Sequence, residues 1–375
     1  MSPEPRSHRA ALPILSDLSP AVRVVIVATL LMSLLAIAME WVMGLSGTPI
    51  FVASAVGILG LSYMIGLSTE RLGSIAGPQA GAVLNATFGN LAELIIALFA
   101  LAAGQIEVVK ASITGSMIGN LLLVMGMSVL VGGIRHGIQK FDAKIAGLDS
   151  TLLVLAVIGL FIPAVFVAST AGGAAQPGSP PRTEESAVVA VVLLVLYFVN
   201  LLYRFRHPSR ARHSVEEQEG GPAWTARAAV VVLAVSAVLL AILSEELVGA
   251  INPFIAAFAL TPFFVGVIVI PTIGNLAEQL VAVRLAVKDR IEFSIAVAIG
   301  ASLQITLFVA PVLVFAGLVM HQPMDLVFAP LEVAAVAVAA VIAALVSLDG
   351  ESNWLEGALL LGVYVILAVS FYFFI

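Results

Sequence analysis

Two glutamates, Glu93 and Glu278, lie inside long apolar stretches of the chain. A charged side chain at the centre of a lipid bilayer costs about 2.5–3.5 kcal/mol on insertion scales, so a glutamate in such a place is a functional candidate by default. One isolated glutamate is also explained by a protonated side chain or by a hydrogen bond between helices. A matched pair is explained better by the binding of cations or protons.

The composition of the 375-residue chain is that of a helical membrane protein. Hydrophobic residues make up 61% and charged residues 11% of the chain, against roughly 25% charged residues in a soluble domain. This excludes a soluble enzyme and a disordered protein, and the net charge of −6 offers no basic surface for nucleic acid. The chain has no cysteine, and its five histidines, at positions 8, 136, 207, 213 and 321, lie outside the apolar stretches. A soft-metal site within the membrane is therefore not expected.

Both glutamates belong to an internal repeat. The segment GNLAELIIALFAL at 89–101 matches GNLAEQLVAVRLA at 274–286, and the two lie 185 residues apart. The register continues, because Gly115 in GSMIGN lies 185 residues before Gly300 in GASLQI. The sequence therefore predicts a duplicated unit in which the two glutamates occupy equivalent positions.

Eleven apolar stretches are candidates for membrane-spanning helices, which need about 20 residues each. They are 24–44, 49–68, 80–103, 107–132, 148–168, 187–203, 225–243, 259–287, 291–319, 327–347 and 354–375. Fifteen basic residues fall on one side of the predicted membrane and only Lys110 and Arg182 on the other, which places the N-terminus in the cytoplasm. The predicted layout is a tail at 1–23, a first helix at 24–44, five-helix units at 49–203 and 225–375, and a cytoplasmic loop at 204–224. Within it, the segment from Ser244 to Thr261 is predicted to lie along the outer surface, and Lys110 at an outer helix end.

The position of the repeat within this layout predicts a secondary transporter. The first glutamate segment lies on the third span and the second on the eighth, so an odd number of crossings separates them and they run through the membrane in opposite directions. Inverted repeats of this kind are typical of secondary transporters, whose substrate site lies near the midplane between the two units.

The glutamates have helical neighbours that suit an ion site. In each copy a glycine and an asparagine precede the acid by four and three residues, which places all three on one helix face. They are Gly89, Asn90 and Glu93 in the first copy and Gly274, Asn275 and Glu278 in the second. Glycine permits close helix approach and, together with Pro271 in the second copy, local unwinding that exposes backbone carbonyls as ligands. Helix packing alone also explains the small residues.

The available ligand atoms are all oxygens, from carboxylates, amides, carbonyls and the hydroxyls of Ser116 or Ser302. A hard cation fits this set, and Ca²⁺ is the leading choice. Two facing carboxylates repel each other and burial disfavours their charge, so both effects favour the protonated forms when no cation is bound. Charge balance then predicts an exchange of two H⁺ for one Ca²⁺, with no cofactor.

At these residues the sequence resembles the Ca²⁺/H⁺ antiporters of the cation/Ca²⁺ exchanger superfamily. The resemblance lies in segments 84–126 and 263–289, with 300–314 following the second, and extends over nearly the whole chain. It implies an all-α membrane protein with one helix plus two inverted five-helix repeats, in which Glu93 and Glu278 bind Ca²⁺ and H⁺ alternately. By the same analogy, supporting ligands come from carbonyls around the two Gly-Asn pairs and from Ser116, Asn120, Ser302 and Gln304. The acidic run Glu216, Glu217 and Glu219 resembles a short form of the family's acidic cytoplasmic segment, which would give it a regulatory role.

Two positions depart from the family pattern. Gln279 stands where members commonly have histidine, and it cannot take up a proton near neutral pH. Ala301, in GAS where GSS is more usual, has no hydroxyl to offer a cation, so cation selectivity could differ. Outside the repeat segments, Glu332 lies one or two turns into the tenth span and is a candidate for an external proton path.

These observations predict an antiporter in a bacterial inner membrane that exports Ca²⁺ in exchange for H⁺, with the lipid bilayer as its surroundings. A same-fold exchanger that uses Na⁺ or K⁺ instead of H⁺, or Mn²⁺ instead of Ca²⁺, remains open, and so does a cation channel. The sequence also leaves a homo-oligomer open. It contains no HExxH-type metal motif of an enzyme.

Overall fold

The computed structural model describes residues 20–44, 46–169, 180–206 and 225–374. These residues are almost entirely helical. We number the helices α1 (Pro20–Trp41), α2 (Thr48–Ala76), α3 (Pro78–Phe88), α4 (Leu91–Ala102), α5 (Ile106–Ile118), α6 (Met125–His136), α7 (Ala143–Ser169), α8 (Pro180–Arg206), α9 (Ala226–Gly249), α10 (Ile251–Phe258), α11 (Pro262–Phe264), α12 (Ile270–Val287), α13 (Ile291–Gln304), α14 (Ala310–Val319), α15 (Pro330–Val346) and α16 (Trp354–Phe373). Two short strands, β1 (Gln139–Lys140) and β2 (Glu351–Ser352), pair antiparallel.

The helices confirm an integral membrane protein. Within the described ranges, eight helical stretches are long and apolar enough to cross a bilayer. The count rises to nine if Ile251–Phe258 and Pro262–Leu276, which meet at 114°, form one broken span. Leu91–Ala102 and Pro330–Val346 are shorter apolar helices. One large cluster of buried apolar side chains runs through both halves of the chain.

Three π-helical segments interrupt the helical rods of the described residues. Gly119–Val124 joins α5 to α6, Val265–Val269 joins α11 to α12, and Ile305–Val309 joins α13 to α14. The second and third each end two residues before a proline, Pro271 or Pro311. Because proline has no N–H to donate to the carbonyl four residues before it, the regular bonding pattern fails there and the wider π spacing replaces it.

Part of the predicted loop structure is wrong. The segment from Ser244 to Thr261 was expected to lie along the outer surface, but α9 continues to Gly249 and Glu246 is buried within it. The carboxylate is accommodated because Ser54 of α2 donates a hydrogen bond to Glu246 Oε2 at 3.1 Å. Helix α10 meets the following stretch, Pro262–Leu276, at 114°. The acidic run Glu216, Glu217 and Glu219 lies outside the described residues.

Candidate ion-binding site

Glu93 lies at the start of a helix that follows a break. Helix α3 ends at Phe88, Gly89 and Asn90 form a turn, and α4 begins at Leu91. Asn90 is the residue before α4, with φ −102° and ψ 28°, and Glu93 lies in the first turn of the helix. The first N–H groups of a helix have no partner within it and carry partial positive charge. The break therefore places the carboxylate in a favourable field.

The second copy has a different backbone. Helix α12 runs without interruption through Gly274, Asn275 and Glu278. The unwinding expected at both Gly-Asn pairs is thus present only in the first copy. In the second, Pro271 moves the irregular backbone upstream to Val265–Val269.

The two copies meet through their glycines. A Cβ built on Gly274 would lie 3.1 Å from Glu93 Cγ and 3.6 Å from Glu93 Cδ. A Cβ built on Gly89 would lie 3.6 Å from Glu278 Oε1. Each glutamate therefore packs against the glycine of the opposite copy.

Each asparagine side chain is held by a flanking helix of the opposite unit. Asn90 Nδ2 donates to Gln304 Oε1 at 2.5 Å, and Asn275 Nδ2 donates to Ser116 Oγ at 3.1 Å. Both asparagines are almost fully buried. These hydrogen bonds tie α13 to the first copy and α5 to the second.

Five oxygen atoms of these side chains are buried without a hydrogen-bond donor among the described residues. They are Glu93 Oε1 and Oε2, Glu278 Oε2, Asn90 Oδ1 and Asn275 Oδ1. Leaving a polar group buried and unbonded costs about 1–3 kcal/mol each, more when it is charged. A cluster of acceptors without donors is suited to a cation or to protons, and Ca²⁺ takes about six to eight oxygens.

Two other predicted ligands have different surroundings. The Ser302 hydroxyl donates to the Ala298 carbonyl of its own helix at 3.0 Å. Asn120 is 1% exposed, lies in the π-helical segment after α5, and has no partner for its Nδ2 among the described residues. Of the predicted set, the structure thus brings Gly89, Asn90, Glu93, Gly274, Asn275, Glu278, Ser116 and Gln304 together through the contacts above.

A small cavity of about 10 Å³ lies beside Glu93, room for about one water molecule. Its walls combine the carboxylate with hydroxyls and aliphatic side chains. They are Glu93, Ala97, Ser112, Ile113, Ser116, Ile305, Val309 and Leu313. From Glu93 and Ser116 the walls continue by one turn to Ala97 of α4 and Ser112 of α5, which is the direction in which α4 ends and α5 begins.

Glu332 lies in the first turn of α15 and is 3% exposed. Its Oε1 accepts a hydrogen bond from Thr114 Oγ1 at 2.7 Å, and its Oε2 accepts one from the Ala329 N–H at 2.8 Å. The second bond caps the start of the helix. Glu332 is therefore linked to α5 two residues before Ser116.

Two buried charges were missed or misplaced by sequence reasoning. Glu246 was assigned to a surface segment, although its position one residue before Leu247 and three after Leu243 puts it on their buried side of α9. Lys110, predicted at an outer helix end, is only 18% exposed on its side chain and pairs with Asp325 at 2.7 Å. It also donates to the Val327 carbonyl. The partner lies 215 residues away, so no local pattern could have revealed it.

A cation at the glutamate pair would need ligands besides carboxylates. Among the described residues, no group of three or more His, Asp or Glu side chains forms a metal cluster. The two glutamates and the two asparagine Oδ1 atoms are a mixed oxygen set of the kind that hard cations accept.

Comparison with known proteins identifies the family. The family described as sodium/calcium exchanger protein matches residues 46–206 and 228–373. A Ca²⁺/H⁺ antiporter of Aphanothece halophytica is 41% identical over 86% of this chain and 90% of its own, and one of Synechocystis sp. is 40% identical over 90% and 94%. The structure of the Ca²⁺/H⁺ antiporter protein YfkE superposes with a TM-score of 0.79 at 34% identity, covering 94% of this chain and 99% of its own. These matches confirm the resemblance found in the two glutamate segments, and the chain belongs to the sodium/calcium exchanger family.

Proposed function

We propose that the protein is a secondary active antiporter that exports Ca²⁺ from the cytoplasm in exchange for H⁺. The observation that carries the proposal is the crossed packing of the two glutamates. Each lies against the glycine of the opposite repeat, and three of their four carboxylate oxygens are buried without a donor. The relatives named Ca²⁺/H⁺ antiporters support the choice of ions.

Charge balance provides the coupling. Two carboxylates in a low-dielectric site are neutralised either by one divalent cation or by two protons, and both neutral forms avoid burying net charge. Ca²⁺ and protons therefore compete for Glu93 and Glu278. It follows that the apparent KM for Ca²⁺ rises as the pH falls, which initial rates of Ca²⁺ uptake at several pH values would measure.

Alternating access at this site follows from the repeat. We infer eleven crossings, in which α3 with α4 and the short α15 join the longer helices, and in which the two five-helix repeats have opposite orientations with the N-terminus in the cytoplasm. The family match in two parts, 46–206 and 228–373, supports the duplication. Rocking of one repeat against the other would open Glu93 and Glu278 to each side in turn.

An external path for ions and protons is part of the same proposal. The cavity beside Glu93 extends the site toward the end where α5 begins, which we infer to face outward. Glu332, hydrogen-bonded to Thr114 of α5, lies on this side and would hold a proton on the way to the pair. The Glu216–Glu219 run is proposed to sense Ca²⁺ on the cytoplasmic face.

Reconstituted protein tests the proposal. In proteoliposomes loaded with a pH-sensitive dye, the pH of the lumen should change when a Ca²⁺ gradient is imposed. Glu93→Gln and Glu278→Gln should each abolish this change. Glu351→Gln is a matched control, because Glu351 is 46% exposed and belongs to a surface ion pair with Lys140. Normal exchange by either site variant would refute the paired-glutamate site.

The same vesicles separate the alternatives. An exchanger for Na⁺ or K⁺ would require that ion for Ca²⁺ movement, and an Mn²⁺ carrier would prefer Mn²⁺ in competition. A channel would move Ca²⁺ without moving protons. A 2:1 exchange is electroneutral, so an imposed membrane voltage should leave its equilibrium unchanged, whereas a voltage-dependent equilibrium would exclude that ratio.

A further inference from the structure

We infer that Gln304 is a positioning residue that holds the Asn90 side chain with its oxygen directed at the cation, in place of a hydroxyl that the second repeat lacks. The inference rests on the proposed function and assigns Gln304 a role through Asn90 rather than as a direct ligand.

The repeat predicts a symmetrical pair of contacts, and only one of them is present. Asn275 of the second copy donates to the hydroxyl of Ser116 in the first unit. The position 185 residues after Ser116 is Ala301, which has no hydroxyl for Asn90. Asn90 donates instead to Gln304, which lies three residues after Ala301 in α13, about one helical turn along.

The spacing of the helices explains why a longer side chain serves here. Where α5 meets the second copy, a Cβ built on Gly115 would lie 2.7 Å from Val267 Cα and closer still to the Val267 carbonyl oxygen. Helix α5 therefore lies directly against the backbone at Val267. The equivalent Gly300 has no such neighbour within 4 Å. Because α13 is less closely packed at Gly300 than α5 is at Gly115, a serine hydroxyl at position 301 would not reach as far toward Asn90 as the longer Gln304 side chain does.

Both asparagine contacts leave the Oδ1 atom of the asparagine available to a cation. Each asparagine uses its amide N–H to bond the flanking helix, and each Oδ1 is buried without a donor. The Gln304 Oε1 also lies 3.4 Å from where a Gly89 Cβ would be, so the glutamine reaches the break in the first-copy helix. Gln304 thus fixes both the asparagine and the turn that carries it.

A double-mutant cycle in the proteoliposome assay tests the inference. Gln304→Ala, and Gln304→Met as an acceptor-free variant of similar volume, should raise the KM for Ca²⁺ about 3- to 10-fold, the effect of one lost hydrogen bond of about 1 kcal/mol. They should raise KM more than they lower the maximal rate. If Gln304 acts through Asn90, Asn90→Ala/Gln304→Met should have the same KM as Asn90→Ala alone.

A matched pair in the other repeat provides the control. Ser116→Ala and Gln304→Met disturb different asparagines, so their effects on KM should multiply in the double variant. An unchanged KM in Gln304→Met, or independent effects of Asn90→Ala and Gln304→Met, would overturn the inference. If the wild-type protein moves no protons in exchange for Ca²⁺, the proposed function is refuted. If the wild type is active but Asn90→Ala and Gln304→Met act independently on KM, only the inference about Gln304 is refuted.

Discussion

The two Gly-Asn-Leu-Ala-Glu segments have the same sequence and different backbones. In the first repeat the helix is broken at Gly89 and Asn90, whereas in the second α12 runs straight through the motif. The irregular backbone of the second repeat lies upstream, in Val265–Val269. Five identical residues therefore do not decide where the helix breaks. Pro271 and the helices packed around each copy do.

The repeats also differ in how tightly they pack on each other. Gly115 of α5 is pressed against the backbone of Val267, while the equivalent Gly300 of α13 faces open space. One of two pseudo-equivalent interfaces is closed and the other is not. Under alternating access, the two repeats would exchange these geometries as the site opens to the other side.

The largest expected effect comes from filling the closed interface. Gly115→Ala places a methyl group against the Val267 carbonyl, and backbone cannot move aside as the end of a side chain can. Overpacking typically costs about 1–3 kcal/mol and sometimes more, so Tm in detergent should fall clearly and exchange should be lost. Thermal unfolding followed by tryptophan fluorescence would measure this. A wild-type Tm would show that α5 and the Val265–Val269 segment are not in close contact.

The ion pair between Lys110 and Asp325 exists at only one of the equivalent positions. Lys110 belongs to the first repeat and Asp325 to the second, and the residue equivalent to Lys110 is the buried Ile295. Lys110→Met removes the ammonium from a carboxylate that is only 4% exposed. Breaking a buried pair costs about 3–5 kcal/mol, and the partial exposure of Lys110 suggests the lower end.

The control for this pair removes both charges. Lys110→Met/Asp325→Leu should recover part of the Tm lost in Lys110→Met, because no buried carboxylate that has lost its ammonium partner then remains. Equal Tm values for the two variants would show that the carboxylate tolerates the loss of the ammonium.

Sequence reasoning succeeded where the signal was repeated or compositional. Apolar composition predicted a helical membrane protein, although eight or nine of the eleven predicted spans meet the length and hydropathy expected of a membrane-spanning helix in the described residues. The 185-residue register predicted that Glu93 and Glu278 occupy equivalent positions. It failed where distant contacts decide the outcome. The unwinding expected at Gly274 is absent. The burial of Glu246 against Ser54 and the pairing of Lys110 with Asp325 depend on helices far away in the sequence. The use of Gln304 in place of a serine hydroxyl follows from the two asparagine hydrogen bonds, which join residues more than 150 positions apart in the chain.

Filling the open interface should affect the rate and not the stability. Gly300→Ala adds a methyl group where nothing lies within 4 Å, so Tm should stay the same or rise slightly, since alanine favours a helix over glycine by about 0.5–1 kcal/mol. If the repeats exchange geometries, the same methyl group obstructs the opposite conformation, and we expect exchange to slow about tenfold. Exchange at the wild-type rate would argue that α13 never approaches the first repeat as α5 approaches the second.

The smallest effect is expected at the surface pair between β1 and β2, which joins the two units at the end opposite Lys110. Lys140 and Glu351 lie 3.0 Å apart, but their side chains are 77% and 46% exposed. Exposed pairs contribute about 0–1 kcal/mol and are screened by salt, so Lys140→Met should change Tm far less than Lys110→Met and only at low ionic strength. A large, salt-independent loss would mean that the β1–β2 contact, and not the buried pair, holds the two repeats together.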